Sequence, residues 1–174
     1  MSAIVDDQYR PVLVRAGEAE HLESIGHTLL ADSSATRGAL SSHRITLGRG
    51  ADGAVPHRHN ASWELFFILD GRLDVLLGDE VVTANEGDLL VAPPGMTHAF
   101  GAHRDSAADA LIVLTPGVER FDYFRHVVRL RAGTEPAQTL LGLQDRFDTH
   151  FTGGSVPSSS VSGRSAWRDA RTAG

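Results

Sequence analysis

Glu64 stands at the head of the run Leu65-Phe66-Phe67-Ile68-Leu69, so a carboxylate leads directly into a segment that has to be buried. A charge carried into an apolar interior is costly unless something of opposite charge, or a metal ion, meets it there. The residues able to take part are imidazoles. His57 and His59 lie just upstream in Pro56-His57-Arg58-His59-Asn60, and His98 follows Pro93-Pro94-Gly95-Met96-Thr97 much later in the chain. On a strand, residues two apart point to one face, so His57 and His59 share a target. The Pro93-Pro94-Gly95 turn is stiff and fixes where the strand bearing His98 begins. Three imidazoles and one carboxylate drawn from separate strands are enough to hold one divalent metal inside a small barrel.

The surrounding pattern supplies such a barrel. Short β-branched and apolar runs are expected as strands over 40–47, 64–69, 73–77, 81–84, 88–92, 97–101 and 110–114. Asp70-Gly71, Gly78-Asp79 and Glu86-Gly87 read as turn dipeptides between them. Evenly spaced strands of this kind make a sandwich or a barrel, and closure removes exposed sheet edges. Strand parity puts Phe66 and Ile68 on the face of Glu64, and Phe100 on the face of His98. Phe66 and Phe100 are therefore candidate walls of a substrate pocket.

Beyond the barrel the periodicity changes. Val118, Phe121, Phe124 and Val128 recur at helical spacing, and a second helix is expected after Thr134, with Pro136 in its first turn, running through Leu140, Leu143 and Phe147. Arg125, Arg129 and Arg131 read as a solvated face. The expected organisation is lead-in strands over 1–39, a barrel over 40–115, helices over 116–151 and a flexible tail over 152–174, rich in Ser, Gly and Arg. Trp167 in that tail reads as an incidental aromatic. His43 and His103 read as solvent-facing groups near a barrel mouth, while His21, His27, His126 and His150 carry no spacing signal.

Composition narrows the chemistry. With no cysteine, thiolate ligands, disulfides and iron–sulfur clusters are excluded, so a metal must be held by nitrogen and oxygen. Sixteen Lys and Arg against 22 Asp and Glu give a net charge of -6, which leaves no electrostatic footprint for nucleic acid. No apolar run approaches the roughly 20 residues of a membrane span, and the N-terminal residues lack a signal-peptide pattern, so a cytoplasmic location is expected.

The segment from Gly50 to Gly71 resembles the first cupin motif: His57-x-His59, Glu64 after a four-residue gap and Gly71 after six more, with a gap of six rather than five before His57. The segment from Gly87 to Gly101 resembles the second, Gly-x5-Pro-x-Gly-x2-His, as Gly87, Pro93, Gly95 and His98, with Ala102 where Asn is usual. The resemblance implies an all-β fold, a cupin jelly-roll β-barrel with C-terminal α-helices added. It also implies one divalent metal held by His57, His59, Glu64 and His98, and often a homodimer. Such a ligand set accepts Fe(II), Mn(II), Co(II), Ni(II), Cu(II) or Zn(II), and iron is placed first.

Small cupins with three His and one Glu include quercetinase-like dioxygenases acting on flavonols and related enols, and Gly117-Val118-Glu119-Arg120-Phe121 is similar to a helix start in some of them. The resemblance thus implies a small-molecule substrate, O2 as co-substrate, and Glu64 as both ligand and proton acceptor. Two other readings stay open: a non-redox metal-dependent isomerase, cyclase or decarboxylase, and a non-catalytic binding cupin.

Overall fold

A computed structural model of the chain describes residues 10–153 together with Trp167 and Asp169. Ten strands and two helices follow one another in it. The strands are β1 (Glu20–Leu22), β2 (His27–Ala31), β3 (Ser41–Leu47), β4 (His57–Arg58), β5 (Trp63–Leu77), β6 (Glu80–Asn85), β7 (Leu89–Ala92), β8 (His98–Ala102), β9 (Ala108–Thr115) and β10 (His150–Phe151). The helices are α1 (Phe121–Arg131) and α2 (Ala137–Gly142). All strand pairings are antiparallel, and the architecture is a jelly-roll β-barrel with C-terminal helices, as expected.

β5 is the hinge of the barrel. Its first half pairs with β9 and β7, and its second half with β6 and β8, so one strand belongs to both walls. The alternation of side chains shows how it turns the corner. Glu64, Phe66 and Ile68 point inward, then Leu73 and Val75 do, so the inward set changes from even to odd numbers. An irregularity between Ile68 and Asp70 in the pairing with β9 inserts the odd residue, as a β-bulge does. Asp70-Gly71 is therefore not the hairpin corner expected from the dipeptide. Gly71 has φ +72, and a Cβ there would lie 2.0 Å from the Ala107 carbonyl oxygen. Gly78-Asp79 and Glu86-Gly87 do fall at the turns joining β5 to β6 and β6 to β7.

The barrel interior is filled by Ile45 and Leu47 of β3, Phe66, Ile68, Leu73 and Val75 of β5, Phe100 of β8 and Ala110, Ile112 and Leu114 of β9. A second core lies under the helices, where Tyr123, Phe124, Val127 and Leu130 of α1 meet Ile25, Leu29, Leu140 and Phe147. The buried stripe of α1 is thus 123, 124, 127 and 130, rotated from the expected one, and Val118 lies before the helix. α2 ends at Gly142, so Leu143 and Phe147 sit in the turns that follow it. The Asp32 carboxylate accepts the main-chain N–H groups of Arg120 (2.6 Å) and Phe121 (3.3 Å). These donors at a helix start have no partner within the helix, so an acceptor from a distant segment sets where α1 begins.

Trp167 is 6 % exposed, which corrects the reading of it as an incidental surface aromatic. Most of the segment expected to be a flexible tail lies outside the described residues. Among the described residues, no helix is long and apolar enough to cross a membrane.

Candidate metal centre

β4, β5 and β8 bring the four expected ligands together. His57 pairs directly with His98 across β4 and β8, and His98 in turn pairs with Leu77 of β5. His59 follows β4 and faces the same way as His57, while Glu64 is the first inward residue of β5. All four are buried, and one potential ligand atom from each lies within 4.8 Å of the others. His98 Nε2 is 2.5 Å and His59 Nε2 is 3.3 Å from Glu64 Oε2. The ring of His57 lies 4.4 Å from that of His98 and 5.1 Å from that of His59, centroid to centroid.

The far nitrogen of each ring decides what the near one can do. His57 Nδ1 meets the Val55 carbonyl at 2.8 Å, His98 Nδ1 meets the Met96 carbonyl at 3.0 Å, and His59 Nδ1 meets the Asp148 carbonyl. A carbonyl can only accept, so each Nδ1 carries a hydrogen, and each ring in its neutral form turns a bare Nε2 lone pair to the centre. Backbone carbonyls hold metal-ligating histidines in just this way elsewhere. His59 Nε2, His98 Nε2 and Glu64 Oε2 approach one another closely yet are not aligned as hydrogen bonds, so the buried atoms stay unsatisfied by protein. Converging lone pairs and a carboxylate, without thiolate, fit a single divalent cation bound through nitrogen and oxygen.

Electrostatics follow from the same contacts. Burial pushes the His57 imidazole well below the ordinary histidine range, and the neighbouring rings of His98 and His59 add to the effect. Burial alone would raise Glu64, but His59 and His98 outweigh it and hold the carboxyl well below the ordinary range. Burial would lower His98, and Glu64 reverses that to a net rise.

Phe66 sits beside the cluster, and Phe100 packs on Phe66. Their rings pack edge to face at 5.5 Å, and Phe66 lies 6.3 Å from the His98 ring. Both are members of the barrel core.

Other residues at the centre are ones the sequence did not reveal. Asp148, in the turns after α2, spreads its carboxylate over the N–H groups of Asn60 (2.7 Å), Ala61 (3.0 Å) and Ser62 (3.1 Å) while its carbonyl holds His59. Burial would raise its pKa, but those N–H groups bring it below the ordinary range. One residue on, Thr149 Oγ1 accepts from Nη1 of the buried Arg120. His43 is 2 % exposed rather than solvent-facing, because Phe124 of α1 closes over it at 4.5 Å and His27 stacks on it at 5.3 Å. His103 is half-buried, and its Nδ1 accepts from the Asp105 N–H at 3.2 Å. Arg125 and Arg129 pair with Glu20, Asp122 and Glu135 at the surface, in keeping with a solvated face.

Residues 43–114 match the family described as a cupin domain. That match covers less than half of the chain, and it holds the barrel and the His57, His59, Glu64 and His98 cluster. Among solved structures, the barrel is similar to Streptomyces Pac13 with uridine, at 16% identity over 66% of this chain and 88% of that one, with a TM-score of 0.52. Another structure of Pac13, described as a unique nucleoside dehydratase, superimposes with a TM-score of 0.51 over the same shares at 16% identity. A predicted oxalate decarboxylase from Thermotoga maritima is similar at 19% identity over 59% of this chain and 97% of that one, with a TM-score of 0.52. At these identities the likeness is one of fold. No curated protein matches the sequence.

Proposed function

We propose that this protein is a metal-dependent dioxygenase that oxidatively cleaves a small enol of flavonol-like or aromatic type, with Fe(II) as the first candidate for its ion. The observation carrying the reading is the set of three imidazoles locked by carbonyls with Nε2 inward, joined by an ionised Glu64 in an apolar enclosure. His57, His59, Glu64 and His98 would hold the ion. When bound, the ion supplies Lewis acidity that lowers the cost of turning an enol into an enolate.

The chain's own groups do the rest. Glu64 is ionised beside its imidazole neighbours and is the carboxylate assigned to accept the enol proton. Phe66 and Phe100 are the aromatic residues assigned to the substrate pocket, where they would keep water from the reacting carbon. The enolate then gives up electrons to O2, whose two atoms enter the cleaved product.

Elemental analysis of protein purified without added metal, followed by O2 uptake on a panel of enols with that metal restored, tests the reading. One ion per chain and O2 consumption matched to substrate loss are expected, and Glu64→Ala should lose both metal and turnover. Full activity in Glu64→Ala, or conversion of an enol without O2, would overturn it. The latter result would point to non-redox Lewis-acid chemistry on the same ligands.

A further inference from the structure

Outside the four-residue cluster, the described residues contain two buried nitrogens without a hydrogen-bond partner: Arg120 Nε and His43 Nδ1. Arg120 is 4 % exposed. Its Nη1 donates to the Phe147 carbonyl at 3.3 Å and to Thr149 Oγ1, and its guanidinium carbon lies 4.4 Å from the centre of the Tyr123 ring and 5.2 Å from that of Phe124. Among the described residues, no carboxylate pairs with this guanidinium. Ring faces, one carbonyl and one hydroxyl soften a buried positive charge but do not neutralise it. A guanidinium in such a place is suited to an anionic oxygen, for which its planar fork of donors is shaped.

Its position ties it to the metal centre. Thr149, which holds Arg120, directly follows Asp148, whose carbonyl holds His59. His43 lies on the inward face of β3 with Ile45 and Leu47, and its ring packs at 4.5 Å on the same Phe124 ring that Arg120 covers. The positive charge of Arg120 acts on both His43 and His98. Arg120 and His43 thus both pack on Phe124 where α1 meets the barrel, and Arg120 is held by the residue that follows Asp148.

We propose that Arg120, with His43 beside it, receives an anionic oxygen of the substrate, a carboxylate or an ionised acidic enol, and so selects acids over neutral molecules of the same shape. The inference rests on the reading of the cluster as a metal and substrate site. With a divalent ion and Arg120 positive and Glu64 and Asp148 negative, the surroundings carry a net charge of about +1, which favours an anion over its uncharged analogue. Arg120 is a binding residue in this scheme, and the neutral His43 ring donates its Nδ1–H to the same group.

Benzoate and benzamide, matched in shape and differing in charge, are the probes. Their affinities for the metal-loaded full chain are measured by calorimetry for the unsubstituted protein, Arg120→Met and Arg120→Lys, with the ion content of each determined alongside. The expected result is a benzoate affinity about tenfold weaker in Arg120→Met, benzamide changed by less than about threefold, and benzoate largely kept in Arg120→Lys. Loss of thermal stability in Arg120→Met with an unchanged ratio of benzoate to benzamide affinity would overturn the proposal, leaving Arg120 a clamp for 147–149. Failure of the unsubstituted, ion-loaded protein to prefer benzoate would overturn it as well. Should Arg120→Met not fold, Thr149→Val decides: with one of its two anchors gone, the guanidinium is less firmly placed and benzoate should weaken several-fold, and no change overturns. A chain that binds no ion at all would instead refute the metal reading on which this rests.

Discussion

Asp148 shows how a metal site depends on a residue that touches no metal. Its carboxylate gathers three consecutive N–H groups of the segment between His59 and β5, and its carbonyl fixes the His59 ring. Asp148→Ala should therefore weaken ion retention about 10- to 100-fold, the usual cost of losing an outer support of a ligand, as read by competition with a chelator. Asp148→Asn, which keeps one acceptor oxygen, should fall between. Unchanged retention in Asp148→Ala would contradict this role. The four clustered residues were legible in the sequence because their message is local: two residues from His57 to His59, a carboxylate opening an apolar run, and a stiff turn before His98. Asp148 and Arg120 were not, because their partners sit 89 and 29 residues away and only the tertiary fold brings them together.

Among elements, β5 teaches the clearest lesson about reading strands. A two-residue window over Asp70-Gly71 has the composition of a turn, yet the chain runs on, bulges and passes from one wall to the other. The cue was present over a longer window: inward apolar residues at 66 and 68, then at 73 and 75, a parity change that a straight strand cannot make. At Gly71 the left-handed backbone and the Ala107 carbonyl 2.0 Å from any Cβ act together. Gly71→Ala should cost at least about 2 kcal/mol, a fall in Tm of about 4 to 8 °C for a chain of this size. Gly78→Ala, at φ +61 in open space, carries only the backbone penalty and should lose about half as much. Equal losses in thermal melts of the two variants would refute the part assigned to the Ala107 contact.

For the whole molecule, the join between barrel and helices governs behaviour in acid. His27 and His43 are stacked there under Phe124, and burial lowers both, His27 to about 4 and His43 well below its ordinary value. An unfolded histidine takes up its proton near pH 6.5, so between pH 6.5 and about 4 the unfolded chain binds protons that the folded chain refuses. Stability is full above that window and falls as pH drops through it. From pH 7 to pH 5, His27 alone should account for a loss of about 2 kcal/mol, and His27→Gln should shrink the total loss in urea melts by about that amount. An identical pH dependence in the variant would refute the assignment. The sequence hid this join because the spacing of His27 and His43 carries nothing, and the Phe124 ring that covers them comes from a helix beyond the barrel.

Because one fifteen-residue strand serves both walls, the barrel has no seam along which half of it could peel away and leave the rest standing. Glu64 rides on that strand and His98 pairs with its far end, so two of the four clustered side chains are tied to the one element that both walls share.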